Sequence, residues 1–181
     1  MRAENYRCTV FTIADDTAVS AAHCVPKTDK VVHLDFAFGS YDVTEWAVLG
    51  DTDVAVFHIA SIAPRKTIPH MDLATEFSAV LGPLTFVGFG CSPVTLYPTS
   101  APIVLPRGTK RTIDFYPGDV HFWISPKSGN IPRPYFTDSD FRLCGGDSGG
   151  PIFAYGTKQV IGVASASLET SDGKSVFYSG S

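Results

Sequence analysis

Short apolar runs separated by turn-forming residues recur along most of the chain. They are rich in Val, Ile, Phe and Thr and are bounded by Gly, Pro, Asp and Ser, as expected for β-strands. The clearest are CTVFTI at 8–13, TAVSAAH at 17–23, KVVHLDFAF at 30–38, TEWAVLG at 44–50, DVAVFHIA at 53–60, LTFVGFG at 84–90, TIDFY at 112–116, VHFWI at 120–124, PIFAY at 151–155, QVIGVASAS at 159–167 and SVFYS at 175–179. Helical periodicity is scarce, and only residues 71–80 predict a helix. Many short strands with close turns predict an all-β sandwich or barrel.

Length and charge narrow the classes of protein. A chain of 181 residues is long enough to bury a hydrophobic core in one domain or two small ones. A net charge of −4 argues against a nucleic-acid partner. No apolar run reaches the roughly 18 residues that a membrane helix needs, so we expect no membrane partner. The opening MRAENYRCTV has no signal-peptide core, which leaves a mature fragment, a piece of a polyprotein or an intracellular protein.

The octapeptide CGGDSGGP at 144–151 is the first stretch that points to chemistry. A serine hydroxyl is a weak nucleophile unless a base removes its proton. It also needs hydrogen-bond donors for the oxyanion that forms when it attacks a carbonyl group. Glycines let backbone N–H groups approach a substrate closely, and they surround Ser148 on both sides.

Two other segments supply the partners that such a serine needs. SAAHC at 20–24 contains His23, and DTDVAVFHIA at 51–60 contains Asp53 at the start of an apolar strand. A carboxylate can orient an imidazole, and that imidazole can activate a serine. His23, Asp53 and Ser148 therefore predict a catalytic triad.

These three segments resemble the motifs of the chymotrypsin-like serine proteases, over residues 8 to about 178. The resemblance implies that His23 is the general base, that Asp53 orients it, and that Ser148 is the nucleophile. Gly146 and Ser148 would donate the N–H groups of the oxyanion hole. Ser165 would donate a hydrogen bond to the aspartate, and the backbone of Ser165, Ala166 and Ser167 would bind the substrate as an antiparallel strand.

The resemblance also implies a fold and a domain division. We expect two packed antiparallel six-stranded Greek-key barrels of the chymotrypsin-like type. The first would span residues 1–80 and contain the histidine and aspartate, and the second would span 81–181 and contain the nucleophile and the substrate pocket. Asp51 alternates onto the same side as Asp53, but Asp53 opens the apolar strand directly, as the family's aspartate does.

Four cysteines raise the question of disulfides or a metal. The resemblance implies a Cys8–Cys24 bridge, and Cys91–Cys144 would then be a rearranged second bridge. No C-x-x-C or paired-histidine spacing favours zinc, and we expect neither a metal nor a cofactor. Two disulfides favour a secreted or extracellular protein. The alternative is release from a viral polyprotein inside a host cell, where the thiols would be reduced.

The chain departs from the cellular members of the family near its start. Those proteases bury a freed N-terminal ammonium group against the aspartate that precedes the nucleophile, and MRAENYRC offers no such terminus. Asp147 therefore needs another partner, because a buried unpaired carboxylate is costly. In this respect the chain resembles compact viral and bacterial members of the family.

Specificity is the least determined property. In the family, the residue six positions before the nucleophile forms the floor of the pocket, and here it is Arg142. Arg142 would either favour acidic substrate residues or turn to pair with Asp147 or another acid, which would leave an apolar pocket shaped by Leu143 and Val176. In a third alternative, a shifted loop lets Asp138 or Asp140 bind a basic residue.

We therefore expect a monomeric serine endopeptidase that acts on polypeptides. An α/β-hydrolase also uses a G-x-S-x-G segment, but its histidine follows the serine, and no histidine here follows Ser148. The remaining alternative is a catalytically silent binding module with a protease-like fold.

Overall fold

The structure is a computed structural model. The structure describes residues 2–3, 6–27, 30–50, 52–60, 68–74, 83–90, 92–94, 103–105, 110–115, 120–124, 132–138, 145–169 and 175–180. The expectations for Arg142, Leu143, Asp140 and the Cys91–Cys144 bridge fall on residues outside these ranges, as does Asp51.

The described residues are organised almost entirely in β-strands. The strands are β1 Arg2–Ala3, β2 Tyr6–Arg7, β3 Phe11–Ala14, β4 Thr17–Ala21, β5 Val32–Phe36, β6 Gly39–Val43, β7 Trp46–Val48, β8 Val54–His58, β9 Asp72–Leu73, β10 Leu84–Gly88, β11 Ser92–Val94, β12 Ile103–Leu105, β13 Arg111–Phe115, β14 Val120–Ile124, β15 Pro132–Asp138, β16 Pro151–Ala154, β17 Gln159–Glu169 and β18 Ser175–Gly180. One short 3-10 helix, Ala22–Cys24, follows β4. The all-β prediction is confirmed.

The strands up to His58 pair among themselves in two four-stranded sheets. One has the order β2-β1-β5-β6 and the other the order β3-β4-β8-β7, and every pairing in both is antiparallel. The side chains of β5, in the first sheet, alternate between its two faces: Val32 and Leu34 are fully buried, while His33 and Asp35 are exposed. Val32 and Leu34 belong to the same buried apolar cluster as Phe57.

The later strands form an eight-stranded sheet in the order β13-β10-β16-β17-β18-β15-β14, with β9 added beside β17. The β9–β17 pairing is parallel and joins Leu73 to Val160. The predicted helix at 71–80 is therefore wrong at Asp72–Leu73, where pairing with β17 outweighs local helix propensity. Residues 75–80 lie outside the description. Closure of the sheets into two barrels and a boundary near residue 80 stay predictions.

A disulfide joins Cys8 to Cys24, as the resemblance implied, with a Cα–Cα distance of 6.2 Å. It connects the segment before β3 to the 3-10 helix after β4, and both cysteines belong to the buried apolar cluster that also contains Phe57. Among the described residues, no helix is both long and apolar enough to cross a membrane.

We predict that replacing both Cys8 and Cys24 by serine lowers the free energy of unfolding by about 3 kcal/mol. This is the loop-closure value for a loop of about 15 residues, and here the cysteines are 16 positions apart. Denaturant unfolding of the variant and the oxidised parent measures the difference. An unchanged unfolding midpoint would contradict the prediction.

Candidate active site

Strand pairing brings His23 and Asp53 together. Strands β4 and β8 are antiparallel neighbours in which Ala21 lies opposite Val54. His23 lies two residues beyond the end of β4, and Asp53 immediately precedes β8. The backbone N–H of Ala22 donates to the Asp53 carbonyl at 3.0 Å, so the two chain segments stay in register up to the site.

The Asp53 carboxylate accepts three hydrogen bonds. The backbone N–H of His23 donates to Oδ1 at 2.8 Å, and Nδ1 of the His23 ring lies 2.7 Å from Oδ2. The Ser165 hydroxyl, from β17, donates to the same Oδ2. A carboxylate surrounded by donors is held as the anion, and its bond to Nδ1 leaves Nε2 of the imidazole as the nitrogen available to act as a base.

These contacts shift the pKa values of both groups. Burial alone would raise the pKa of Asp53, but hydrogen bonds from His23 and Ser165 outweigh it, and the pKa is lowered. The hydrogen bond to Asp53 is the main cause that raises the pKa of His23 above 6.5; burial opposes it and the negative charge of Asp53 adds to it. The imidazole remains about half exposed, so it can meet a substrate.

Ser148, the predicted nucleophile, lies in a tight turn over residues 145–150 that is held against β17, and we call this segment the nucleophile turn. The N–H of Gly149 donates to the Ala164 carbonyl at 2.6 Å, and the N–H of Gly150 donates to the Asp147 carbonyl at 2.9 Å. Gly149 has a φ of +85°, and a Cβ there would collide with Ser20. Only glycine fits such a position without strain, which accounts for the glycine that follows Ser148.

The hydroxyl of Ser148 donates to the carbonyl oxygen of Ser165 at 3.2 Å. Within the described part of the chain, no hydrogen bond joins Ser148 to His23. Ser148 and Asp53 are thus connected through Ser165, whose backbone accepts from one and whose side chain donates to the other. In free enzymes such contacts are often long or misaligned and tighten when substrate binds.

Asp147 is fully buried beside the nucleophile turn. Its Oδ1 accepts a hydrogen bond from the backbone N–H of Gly90 at 2.9 Å. A Cβ on Gly90 would lie only 2.6 Å from the Asp147 carboxyl carbon, so the close approach requires glycine at residue 90. The partner that the sequence demanded for Asp147 thus includes a backbone amide from the loop after β10.

One edge of β17 lies next to Ser148 and, beyond Ala164, pairs with no strand in the part of the chain that the structure describes. Pairing with β16 ends where Pro151 meets Val163, after which Ala164 bonds to the backbone of Gly149 and Gly150. From Ser165 to Glu169 this edge pairs with no strand among the described residues, while the other edge pairs with β18. Ala166 and Ser167 lie in this segment, and a backbone irregularity separates the two blocks of β18 pairing between Ala164 and Ser167.

Cys8, His23 and Cys24 place three potential metal ligands within 4.8 Å of one another. The two sulfurs are bonded to each other in the disulfide, and Nδ1 of His23 bonds to Asp53. A thiolate is what zinc would bind, so this group is a poor metal site in the oxidised protein.

Of the specificity residues predicted from the sequence, Val176 and Asp138 lie on described backbone. Val176 belongs to β18, opposite Leu168 of β17 and Thr137 of β15. Asp138, the last residue of β15, pairs with Ser175, the residue before Val176. Strand β18 thus lies between β17 and β15, so Val176 and Asp138 are on neighbouring strands.

Sequence reasoning missed two residues that contact the nucleophile turn, Thr9 and Gly90. Thr9 is 2% exposed, and its hydroxyl donates to the Gly146 carbonyl at 2.8 Å. The only sequence signal for Thr9 was its position next to Cys8. Gly90 closes the apolar run LTFVGFG, and its glycine was a sign of a close backbone approach.

Comparisons with known proteins identify the family and the fold of this chain. The family of the trypsin-like peptidase domain matches residues 8–163. No curated protein matches the chain in sequence. The fold is similar to crystal structures of the Rv3671c protease of M. tuberculosis. The Ser343Ala mutant in its inactive form has a TM-score of 0.69 at 18% identity, over 98% of this chain and 78% of that chain.

The active form of the same protease has a TM-score of 0.66 at 18% identity, over 95% of this chain and 68% of that chain. At this identity the likeness concerns the fold. The match to the family extends over most of the chain and includes the segments of His23, Asp53 and Ser148. The chain therefore belongs to the trypsin-like peptidase domain family and is a serine protease.

Proposed function

We propose that this protease is an endopeptidase that works through an acyl-enzyme, with Ser148 as nucleophile, His23 as general base and Asp53 as the residue that orients it. The observation that supports this most strongly is the Asp53 carboxylate, which bonds to Nδ1 of His23 and to the Ser165 hydroxyl. Because Nδ1 bonds to Asp53, Nε2 is the imidazole nitrogen that remains to act as a base.

In the first half of the proposed reaction, Ser148 Oγ attacks the carbonyl carbon of the peptide bond while Nε2 of His23 takes the hydroxyl proton. The carbonyl oxygen becomes an oxyanion, which the N–H groups of Gly146 and Ser148 stabilise. When the intermediate collapses, the C–N bond breaks and His23 gives its proton to the leaving amine. Attack requires the Ser148 hydroxyl to rotate from the Ser165 carbonyl toward His23.

In the second half, water attacks the ester that links the substrate to Ser148. His23 takes a proton from this water and returns it to Ser148 Oγ as the ester bond breaks. The pKa of His23, raised by its hydrogen bond to Asp53, favours both roles because the ring accepts a proton readily and then releases it.

The substrate is proposed to bind along the edge of β17 from Ser165 to Glu169, which pairs with no strand among the residues that the structure describes. Antiparallel pairing with Ser165, Ala166 and Ser167 would lay an extended peptide beside the Ser148 turn. Arg142, Leu143 and Val176 are proposed to form the adjoining specificity pocket. We further propose that the protein acts as a monomer in an oxidising, extracellular setting, where the Cys8–Cys24 bridge is stable.

Replacing Ser148 by alanine is expected to lower kcat by several orders of magnitude, on the order of 10⁶, because the nucleophile is lost. Hydrolysis of a fluorogenic peptide library measures the loss, and a fluorophosphonate probe should label Ser148 in the parent alone. Ser40→Ala is the matched control, since the Ser40 hydroxyl bonds to Asp35 on β5. EDTA is expected to leave activity unchanged.

Near-parental hydrolysis by Ser148→Ala would remove this serine from the mechanism. An intact parent that neither reacts with the probe nor cleaves any peptide would instead support the silent binding module. The bond between the Ser148 hydroxyl and the Ser165 carbonyl is the one observation that favours that second candidate, because in this orientation the hydroxyl is not activated.

The pH dependence of kcat/KM is expected to follow His23. Only the neutral ring can act as a base, so activity is expected to fall as the pH drops through a pKa above 6.5. Asp53→Asn removes the carboxylate that raises this pKa, so the acidic limb moves to lower pH and kcat falls by about 10⁴. NMR titration of the His23 ring in Ser148→Ala measures the pKa directly.

Asp42→Asn is the control for this experiment, because Asp42 also bonds to Nδ1 of a histidine, His33, on the strand pair β5–β6. Its pH profile should match the parent. An acidic limb at or below 6.5 in the parent, or a limb that Asp53→Asn leaves in place, would contradict the assignment.

Cleavage after Lys or Arg is expected to be poor, because Arg142 would either repel a cationic side chain from the pocket or turn away and leave the pocket apolar. Profiling of cleavage sites in a peptide library checks this. Efficient cleavage after Lys or Arg that is lost on changing Asp138 or Asp140 would show that the loop is shifted. Preference for acidic residues that Arg142→Ala abolishes would place the guanidinium in the pocket.

A further inference from the structure

Thr9 is a buried polar residue at which three chain segments meet. Its backbone N–H donates to the Ser148 carbonyl at 2.8 Å, and its hydroxyl donates to the Gly146 carbonyl at 2.8 Å. The same hydroxyl accepts a hydrogen bond from the backbone N–H of Phe89 at 3.1 Å. The Thr9 carbonyl in turn accepts a hydrogen bond from the Ser20 hydroxyl at 2.7 Å. All its hydrogen-bonding groups are thus used.

We propose that Thr9 is a positioning residue: its hydroxyl holds the nucleophile turn so that the N–H groups of that turn can bind the oxyanion. The inference rests on the proposed function, because it assigns Thr9 a role in orienting the N–H groups of Gly146 and Ser148. Thr9 holds the carbonyl groups of these same two residues. It therefore fixes the turn at both of the residues that would supply oxyanion donors.

Planar peptide units explain how contacts to carbonyl groups restrict the neighbouring N–H groups. The Gly146 carbonyl shares a rigid peptide plane with the N–H of Asp147, and the Ser148 carbonyl shares one with the N–H of Gly149. The Ser148 N–H lies in the plane between these two, and the Gly146 N–H lies in the plane that precedes the first. With both planes held by Thr9, and the N–H of Gly149 bonded to Ala164, few rotations of the turn remain. Gly146, which has a φ of +111°, carries no side chain that could restrict its own rotation, so these contacts are what hold it.

The side chain contributes the specific part of this clamp. Any residue except proline could donate a backbone N–H to Ser148, but only a hydroxyl at this position both donates to Gly146 and accepts from Phe89. The adjacent N–H, that of Gly90, bonds to the Asp147 carboxylate. Two successive amides of the loop after β10 are therefore tied to the nucleophile turn, one of them through Thr9.

Donors that are already oriented need no rearrangement when charge develops on the substrate, and small misplacements in a catalytic site can cost up to about a hundredfold in rate. A looser turn would affect the transition state more than the bound substrate, because the oxyanion exists only after attack. Loss of the Thr9 hydroxyl is therefore expected to act on kcat rather than on KM.

The test compares Thr9→Val, which keeps the shape and removes the hydroxyl, with Thr12→Val. Thr12 is also buried, and its hydroxyl donates to the Pro69 carbonyl at 2.6 Å, away from the nucleophile turn. Thr9→Val is expected to lower kcat and kcat/KM together by about ten- to a hundredfold with KM within about threefold of the parent. The inhibition constant of a peptide aldehyde should rise by the same factor. Thr12→Val should leave all three values within about threefold, whatever its effect on thermal stability.

Thr9→Ser and Thr9→Ala form a second pair, which differ by a single oxygen atom and keep the proposal testable if Thr9→Val does not fold. Serine is expected to retain activity within about threefold of the parent, and alanine to lose it as valine does. Equal kcat values for the serine and alanine variants would overturn the proposal, as would equal losses in Thr9→Val and Thr12→Val.

Amide hydrogen exchange tests the clamp without relying on catalysis. Exchange at Gly149 and Gly150 is expected to become at least about tenfold faster in the variants without the Thr9 hydroxyl and to stay unchanged in Thr12→Val. A parent that hydrolyses no peptide would contradict the proposed function, and exchange would then decide the clamp on its own. Unchanged exchange at these glycines would overturn it.

Discussion

Hydrogen bonds from two distant parts of the chain converge on the carboxylate of Asp53, and the organisation of the site depends on them. His23 belongs to the segment after β4, in the early part of the chain, whereas Ser165 belongs to β17 of the large sheet. A partly buried carboxylate is costly unless donors surround it, so the contact favours these two parts of the chain being held in one relative position. That position in turn determines where the His23 ring lies relative to the Ser148 turn.

The nucleophile turn is bound to the same two parts of the chain. Thr9, just before β3, holds the carbonyl groups on one side, and Ala164 of β17 accepts the N–H of Gly149 on the other. Contacts from both parts of the chain therefore hold the site in place. Each candidate residue is fixed by contacts that are far apart in sequence, such as the 137 positions between Thr9 and Gly146.

Short apolar runs bounded by turn-forming residues made several strands predictable, and the lack of such a run concealed others. VHFWI coincides with β14, and the runs before and after Asp53 correspond to β7 and β8. By contrast, β15 contains Pro132 and Pro134, which argue against a strand by themselves, yet its pairing with β14 and β18 establishes one. Strand β9 arose where a helix was predicted, since its partner β17 is remote in sequence.

The candidate site residues also divide into those that sequence motifs predict and those that only the fold brings together. Motifs around His23, Asp53 and Ser148 identified those residues because the chemistry limits which side chains can occupy them. Thr9 had no such motif, because its function depends on carbonyl groups that only the fold brings near. The partner of Asp147 was predictable as a requirement but not as Gly90, since a backbone amide leaves almost no trace in the side-chain sequence.

The proposed binding of substrate along the edge of β17 beside Ser148 has a consequence for which proteins this protease would cut. Backbone pairing does not depend on side-chain identity, but it needs several consecutive residues with free N–H and C=O groups in an extended conformation. Helices and internal strands have already used those groups. Selection among protein substrates would therefore begin with local unfolding, so that linkers, termini and transiently opened segments are cleaved before any side-chain preference takes effect.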